Sequence, residues 1–526
     1  MAFIPAQSLR VGGALLVTCL ASCEPVAAAR EGERGHRAQI ISELEAWQHR
    51  APPGASLRTE EVCPLVMPPE PGRVTGAQVD SGGVPLYGTD LGRSYRDHSG
   101  ALRILFGDTW PGISQNPLHP HACINTPSDD TEAVLELPEP WDGRSCPRLR
   151  FETEGDALSY TTLHRWDGAR VRLGALSVPI AAFDDGQREW ALFYATGGQS
   201  CVLGACPDHL DPRAGELSCA PIADPIPRHA CVDDSGIQGR NSAIWDARLA
   251  VYLHVAARDP RRKTAFTSHH AFLTNKFQVA AARTVARFEP EHPELADYRS
   301  GHGDLLVWGR PGFDARGGGR AGLHLLHHEL PLRVGDDGRL RWRPRFFRGF
   351  DARGRPLFSE RQRDAVPLPE RPIDPAGHTS MGYVAELERW VMLTGGAMPG
   401  ALNAEGDDAS APQPAPGAIH LRLSEHPWGP FSDAQPVLTR RQAARHLVCD
   451  ARGEPEGCRP PPAVPIRHLC VELYDRGGPG RLYGPNIIEQ LTRAAEGGGR
   501  SADIYWNVST WHPYGVLLER TRVTLP

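Results

Sequence analysis

Lysine is almost absent from this chain of 526 residues, where it occurs only at Lys263 and Lys276. We attribute the shortage to codon bias in a GC-rich genome, since arginine supplies nearly all the basic residues. The arginines are scattered and the net charge is −6, so the sequence lacks the basic stripe typical of nucleic-acid-binding proteins. Nucleic acid is therefore not an expected partner.

An apolar run long enough to cross a membrane is lacking at the N-terminus. Residues 11–20 are apolar, whereas a membrane-spanning helix needs roughly 20 such residues. Arg10 before this run and Leu20-Ala21-Ser22-Cys23 after it give the layout of a secretory signal whose end resembles a bacterial lipobox. We expect lipid on Cys23 and anchoring in a bacterial cell envelope, at the outer membrane or cell surface. An ordinary signal peptide that contains a cysteine is the alternative.

Paired C-x-x-C spacings are lacking too, although the chain has 12 cysteines. Zinc sites commonly use such pairs, so no zinc site is expected. Removing Cys19 with the signal and Cys23 to lipid leaves ten cysteines. Because an exported protein meets an oxidising compartment, these cysteines are expected to form up to five disulfides.

Several enzyme motifs are missing. The segment His378-Thr379-Ser380-Met381-Gly382 lacks the first glycine of a serine-esterase elbow. The segment His327-His328-Glu329 has no second histidine at the spacing of a zinc metalloprotease helix. No glycine-rich phosphate loop precedes a helix. These absences exclude three common classes of enzyme.

Helical periodicity is scarce, and short apolar or alternating runs bounded by Gly, Pro, Asn and Asp dominate from about residue 74. Many short strands without helices between them indicate a sandwich, a barrel or a propeller. Their number favours an all-β, five-bladed propeller with loop insertions and disulfides. We predict strands at 102–110, 158–166, 189–195, 243–256, 269–275, 304–308, 322–330, 340–347, 383–394, 418–424, 487–492, 503–509 and 515–522.

The chain divides into three parts in this interpretation. Residues 1–22 form the signal peptide, residues 23–73 form a lipidated tether with a short helix at 38–50, and residues 74–526 form the β domain. Two stretches rich in Gly, Ala, Pro or Asp, at 396–417 and 450–465, read as surface insertions between strands.

Two short motifs carry the clearest chemistry. Asp90 lies in Tyr87-Gly88-Thr89-Asp90-Leu91-Gly92-Arg93-Ser94, and Asp108 lies in Leu105-Phe106-Gly107-Asp108-Thr109-Trp110. A hairpin would bring both carboxylates to one end of a sheet, and two facing carboxylates are the machinery of glycoside hydrolysis. Trp110 would offer a ring face to a sugar. The alternatives are turn aspartates bonded to backbone amides and a metal site, with a structural calcium at the propeller centre as its expected form.

These motifs resemble the DUF4185 family, together with Tyr483-Gly484-Pro485-Asn486-Ile487-Ile488 and the segment 509–516. The resemblance runs from about residue 74 to 523 outside the insertions. Some family members are classed as endo-D-arabinanases of glycoside hydrolase family 183. The resemblance implies a five-bladed propeller with its active site in the central funnel, and Asp90 and Asp108 as the candidate catalytic pair.

Five other residues are candidates for binding substrate at the rim of such a funnel. Asn241, His302 and His378 precede predicted strands, and Asn486 and Trp511 lie in the family-like segments. Each could bond or stack on a sugar, or could instead be a strand-end side chain satisfied by backbone.

The sequence thus predicts a surface-anchored glycoside hydrolase that cleaves an extracellular polysaccharide, D-arabinan in the narrowest form of the prediction, without a cofactor. A different sugar is one alternative. A non-catalytic propeller that binds glycan or protein at the cell surface is the other.

Overall fold

The computed structural model describes most of the β domain. The described residues are 55–67, 79–84, 86, 88–109, 130–155, 157–165, 177–195, 250–274, 277, 279–300, 302–310, 322–368, 378–395, 417–449, 453, 455–460, 480–496, 498–511 and 513–526. Cys23 and the helix predicted at 38–50 lie outside them. The helical elements with bounds in the described ranges are single turns of 3-10 type, at Pro293–Leu295, Gln362–Asp364, Ala444–His446 and Glu489–Leu491.

Short strands make up nearly all the regular structure. In chain order they are β1 (Ser56–Val66), β2 (Val79–Asp80), β3 (Leu91–Arg96), β4 (Leu102–Asp108), β5 (Asp130–Glu136), β6 (Arg148–Phe151), β7 (Thr153–Glu154), β8 (Ala157–Leu158), β9 (Thr162–Arg165), β10 (Ser177–Asp184), β11 (Glu189–Ala195), β12 (Ala250–Arg258), β13 (Ala265–Thr274), β14 (Val279–Val285), β15 (Asp304–Arg310), β16 (His324–Glu329), β17 (Arg345–Phe350), β18 (Pro356–Ser359), β19 (His378–Val384), β20 (Arg389–Gly395), β21 (Ile419–Ser424), β22 (Gln435–Leu438), β23 (Arg481–Ile487), β24 (Arg493–Ala494), β25 (Ser501–Trp511) and β26 (Gly515–Thr524).

Five sheets of four or five strands form the blades, and a two-stranded sheet, β7-β8, accompanies them. From the centre outwards the blades have the orders β3-β4-β5-β6-β2, β10-β11-β12-β13-β9, β14-β15-β16-β17-β18, β19-β20-β21-β22 and β23-β25-β26-β1. The strands β3, β10, β14, β19 and β23 contact one another in a closed cycle, so they surround a central axis. The prediction of an all-β, five-bladed propeller is confirmed.

The ring is closed by the two ends of the β domain. β1 pairs antiparallel with β26, from Ser56 opposite Thr524 to Val66 opposite Val516. The N-terminal strand is therefore the outer strand of the last blade. Residues 56–66, which the sequence pattern assigns to the tether, belong to the propeller, so the sheet structure begins before the predicted boundary at residue 74.

The second strand of each blade is buried on both faces, because neighbouring blades pack against it. β15, for example, is buried at all seven positions of Asp-Leu-Leu-Val-Trp-Gly-Arg. Large aromatic side chains that are fully buried occupy this strand in every blade: Phe106, Trp190, Trp308, Trp390 and Trp506. Burying one such side chain contributes about 1.5–3 kcal/mol to the stability of the fold. The rings of Trp308 and Trp390 contact each other across two neighbouring blades.

Two disulfides are present in the described residues, Cys63–Cys146 and Cys449–Cys458. The first joins β1 of the last blade to the loop after β5 in the first blade. The second lies in the region of the predicted insertion at 450–465. The other cysteines predicted to pair lie outside the described residues.

Candidate active site at the start of the innermost strands

Asp90 directly precedes β3, at a backbone turn in which the next two residues have positive φ angles. Leu91 has φ 61 and Gly92 has φ 87, and a positive φ is uncommon for a residue such as leucine. Two bonds hold the turn, because Leu91 N donates to Ser509 Oγ at 2.7 Å and Gly107 N donates to the Asp90 carbonyl at 3.1 Å. Strained backbone of this kind is concentrated at functional sites in proteins.

The motifs singled out in the sequence come together around this turn. A Cβ on Gly107 would overlap Asp90 Oδ1, and a Cβ on Gly88 would overlap the Tyr514 carbonyl. Gly484 has φ 60 and lies against the Leu91 side chain. Glycine is therefore required in each motif, because Gly88 lies against backbone whereas Gly107 and Gly484 lie against the side chains of Asp90 and Leu91.

The Asp90 carboxyl is buried, with 7% of the residue exposed. Tyr483 donates its hydroxyl to Oδ2 at 2.8 Å, and Tyr514 also hydrogen-bonds to the carboxyl. Burial raises the pKa of Asp90 to about 6, while the two tyrosine hydroxyls and the charge of Arg93 act in the opposite direction. A carboxyl with this pKa changes protonation state near neutral pH, as a general acid or base must.

Trp511 ends β25 and packs on both tyrosines. Its ring centroid lies 5.9 Å from that of Tyr483 and 5.3 Å from that of Tyr514. Because Trp511 itself is only half-buried, it places an aromatic surface next to the groups that hold Asp90. Trp511, which the sequence predicts to bind substrate, therefore lies beside the tyrosine partners of Asp90.

Asp108 is the last residue of β4, and its backbone is opposite Asp130 in the sheet. It directly follows Gly107, which packs on Asp90, so the backbone brings the two predicted catalytic residues to the same end of the first blade. The Asp108 side chain lies outside what the structure describes. The adjacent hydroxyls of Thr89, Thr109 and Thr131 form a buried chain with 2.7 Å contacts that fixes this end of the sheet.

His378 begins β19 and is buried beside Tyr483, with 6.2 Å between the ring centroids. Burial and the nearby charges of Arg93 and Arg310 hold the pKa of His378 well below its usual range, so the imidazole is neutral. His378 therefore lies at the same end of the central strands as Asp90.

Arg93 is a site residue that the sequence pattern did not single out, although it lies in the quoted motif. The buried guanidinium donates to the carbonyls of Pro179 and Pro485 and, at 3.3 Å, to Asn486 Oδ1. Burial lowers the pKa of Arg93 to about 10. The sequence offers one signal for Arg93: it is a charged residue that lies shortly after Asp90 in the same glycine-containing motif.

His302 lies elsewhere in the molecule. It follows β14, with Nδ1 2.7 Å from the carbonyl oxygen of Asp184 at the end of β10. Asp90 precedes its strand whereas His302 follows its own, so the structure does not bring these two residues together. Trp110 and Asn241 lie outside the described residues.

Within the described residues no group of three or more His, Cys, Asp or Glu side chains is arranged to hold a metal ion. No helix in the described ranges is long and apolar enough to cross a membrane.

Fold and site together define a five-bladed propeller with a buried, perturbed carboxyl at one end of its axis. No family model matches the chain, and no curated protein matches it. Among solved structures it is similar to a protein of Bacteroides ovatus described as a candidate hydrolase, with 11% identity, a TM-score of 0.35 and coverage of 86% of this chain and 93% of the other.

Two further structures are similar at comparable distance. A protein of unknown function from Dyadobacter fermentans shares 10% identity, with a TM-score of 0.32 and coverage of 89% and 99% of the two chains. A mutant sialidase of Trypanosoma rangeli with trans-sialidase activity shares 10% identity, with a TM-score of 0.25 and coverage of 90% and 59%. Similarity at this level carries no argument about activity.

Proposed function

We propose that the protein is a glycoside hydrolase that cleaves an extracellular polysaccharide with Asp90 and Asp108. One observation carries the proposal: the Asp90 carboxyl, with its pKa raised to about 6, is bonded to two tyrosines beside the half-buried Trp511. Glycosidases need one carboxyl protonated near neutral pH and a second one ionised.

In the proposed reaction Asp90 is the general acid. Its proton passes to the glycosidic oxygen as the bond to the anomeric carbon breaks, and Tyr483 steadies the resulting carboxylate by its hydrogen bond to Oδ2. Asp108 then serves as nucleophile or as the base for a water molecule. A carboxyl separation of about 5 Å would give retention, and about 6.5–9.5 Å would give inversion.

The substrate is proposed to be an arabinofuranose-containing glycan, in its narrowest form D-arabinan, on the sequence resemblance alone. Lipid on Cys23 would keep the enzyme at the cell surface, next to a polymer too large to import. Both statements are part of the proposal.

A non-catalytic glycan-binding propeller is the second candidate, and the burial of Asp90 favours it. A carboxyl with 7% exposure and two tyrosine partners is also what a purely structural aspartate looks like. In that case Trp511 would bind glycan without cleavage.

Incubation of the mature protein with a polysaccharide panel that includes arabinogalactan and lipoarabinomannan tests the proposal. We expect release of reducing ends by the wild type and a loss of at least about 100-fold in Asp90→Asn and Asp108→Asn, the scale of general acid–base catalysis. Asp351→Asn is the matched control, since Asp351 caps an exposed turn of an outer strand pair. Glycan binding without product release by the wild type would favour the second candidate, and full activity in both variants would refute the catalytic pair.

A further inference from the structure

A cavity of about 520 Å³ lies on the propeller axis and is lined by all five innermost strands. It reaches Arg93 on β3, Ile180 on β10, Arg283 on β14, Ser380 on β19 and Asn486 on β23. These residues occupy the middle or end of their strands, and the lining continues to His302. Asp90 does not line this cavity, although Arg93 and Asn486, which belong to the candidate site, do.

Hydrogen-bond donors dominate the deep part of the cavity. Asn486 is 9% exposed, and its buried Nδ2 has no partner among the described residues. Arg283 Nε is likewise buried without a hydrogen-bond partner among the described residues. Ser380 Oγ accepts a bond from the backbone of Ile487, so its hydroxyl proton is directed elsewhere. Unpaired buried donors are costly, and a bound water or ion is one way to satisfy them.

Arg93 adds a buried positive charge. Its Nε and Nη1 donate only to carbonyl and amide oxygens, and among the described residues no carboxylate forms an ion pair with it. Only the more distant charge of Asp90 acts on it. A buried guanidinium without a paired anion is unfavourable, so an anion next to Arg93 would be favoured.

The acidic residues that line the cavity are already engaged. Asp97 is paired with Arg103 at 2.5 Å, and Asp184 with His98 at 2.9 Å. Glu489 is paired with Arg283 and accepts a bond from the Tyr383 backbone. Arg96, which bonds to the Gly100 carbonyl, adds a further positive charge at the exposed rim. Arg93 is therefore the deep charge of the cavity that has no carboxylate partner among the described residues.

We propose that this cavity binds a small oxyanion or carboxylate through Arg93, Asn486, Arg283 and Ser380. The group is either a free anion or the carboxylate of an acidic sugar, since the volume accommodates a monosaccharide. The site goes beyond the proposed hydrolysis, because binding here needs neither Asp90 nor Asp108, and it shares Arg93 with the candidate active site.

Titration of the mature protein with sodium phosphate, glucuronate or neutral glucose, at constant ionic strength, tests the proposal by calorimetry and thermal unfolding. We expect saturable binding of at least one of the two anions and none of glucose. Glucuronate binding at least 10-fold more tightly than phosphate would identify an acidic sugar as the source. Equal affinity, or tighter binding of phosphate, would identify a free anion as the source. Absence of saturable binding by both anions would overturn the proposal.

Asn486→Asp supplies the missing carboxylate from within the protein. We expect this variant to lose anion affinity by at least 10-fold and to melt at a higher temperature than the wild type without added anion. Ser380→Ala, a smaller change, should weaken binding about 3-fold to 10-fold with the fold intact. Wild-type anion affinity in both folded variants would contradict the assignment of these residues.

Discussion

Tyr483 donates a hydrogen bond to Asp90 Oδ2 at 2.8 Å, across the seam between the last blade and the first. The two residues are 393 positions apart, so this contact exists only when the ring is closed. The closed ring thereby sets the protonation of the carboxyl, since the hydroxyl stabilises the ionised form that burial disfavours.

Tyr483→Phe should raise the pKa of Asp90 further above its value of about 6, because the variant removes a bond that favours the carboxylate. If Asp90 is the general acid, activity is lost as pH rises through its pKa, so the alkaline limb of the pH–rate profile should move to higher pH. Stability should fall by about 1.5–3 kcal/mol. The measurements are the pH–rate profile and denaturant unfolding.

Tyr505→Phe is the matched control for that substitution. Tyr505 is equally buried, and its hydroxyl donates to the Gly143 carbonyl at 3.0 Å, away from Asp90. It should lose stability without a change in the pH–rate profile. A profile that stays fixed in Tyr483→Phe would contradict the role of Asp90 as the acid.

The propeller could be predicted from the sequence because its signal is local, in the form of many short strands with turn residues between them. Several strand boundaries could not, and the predicted strand at 158–166, for example, is divided between β8 and β9. The predicted strand at 383–394 is a hairpin of β19 and β20, whose turn contains Glu388 at φ 52 in place of a glycine. The predicted strand at 487–492 is wrong, because β23 already ends at Ile487 and a 3-10 turn follows at Glu489–Leu491.

Long-range pairing explains the remaining differences. β1 joins the last blade only because β26, at the other end of the chain, offers its edge. The position of His302 likewise depends on the direction of β14 around the axis, which no local motif encodes. The motifs around Asp90 and Asp108 do lie at one end of the first blade, whereas Arg93 was not singled out.

Gly107→Ala should disrupt the candidate site directly. The added methyl group would overlap Asp90 Oδ1 and displace the carboxyl, at a cost of about 1–3 kcal/mol in stability and with loss of any hydrolytic activity. Gly155→Ala is the control, since a Cβ there meets nothing and the strain of its φ of 62 costs only about 1–2 kcal/mol. Activity and melting temperature separate the two effects, and an active Gly107→Ala enzyme would contradict the close packing.

The disulfide Cys63–Cys146 should stabilise the protein more than Cys449–Cys458 does. Its cysteines are 83 positions apart, against 9 for the second pair. Loop-closure entropy gives about 4.5 kcal/mol for the longer loop and about 2.5 kcal/mol for the shorter. Double serine variants of each pair, compared by denaturant unfolding, measure the difference. Equal losses would show that closure of the ring does not depend on this link.

Glu519 and Glu61 are directly opposite each other where β26 pairs with β1. His446 and Arg445 bind Glu61 and lower its pKa against the effect of burial, whereas burial and the charge of Glu61 raise the pKa of Glu519 to about 8. A carboxyl whose pKa is raised on folding stabilises the protein below its unfolded value of 4.5, and that stability is lost as pH rises to about 8.

Glu519→Gln should therefore become more stable than the wild type as pH increases over this window. The gain in the free energy of unfolding should be close to zero near pH 4.5. It should grow by at most about 1.4 kcal/mol per pH unit above that. Chemical unfolding of both proteins at several pH values measures it, with Glu360→Gln as an exposed control that should show no such trend. A gain that does not depend on pH would mean that Glu519 is ionised in the folded protein. The β1–β26 pair would then tolerate two opposed charges because Arg445 and His446 neutralise them together.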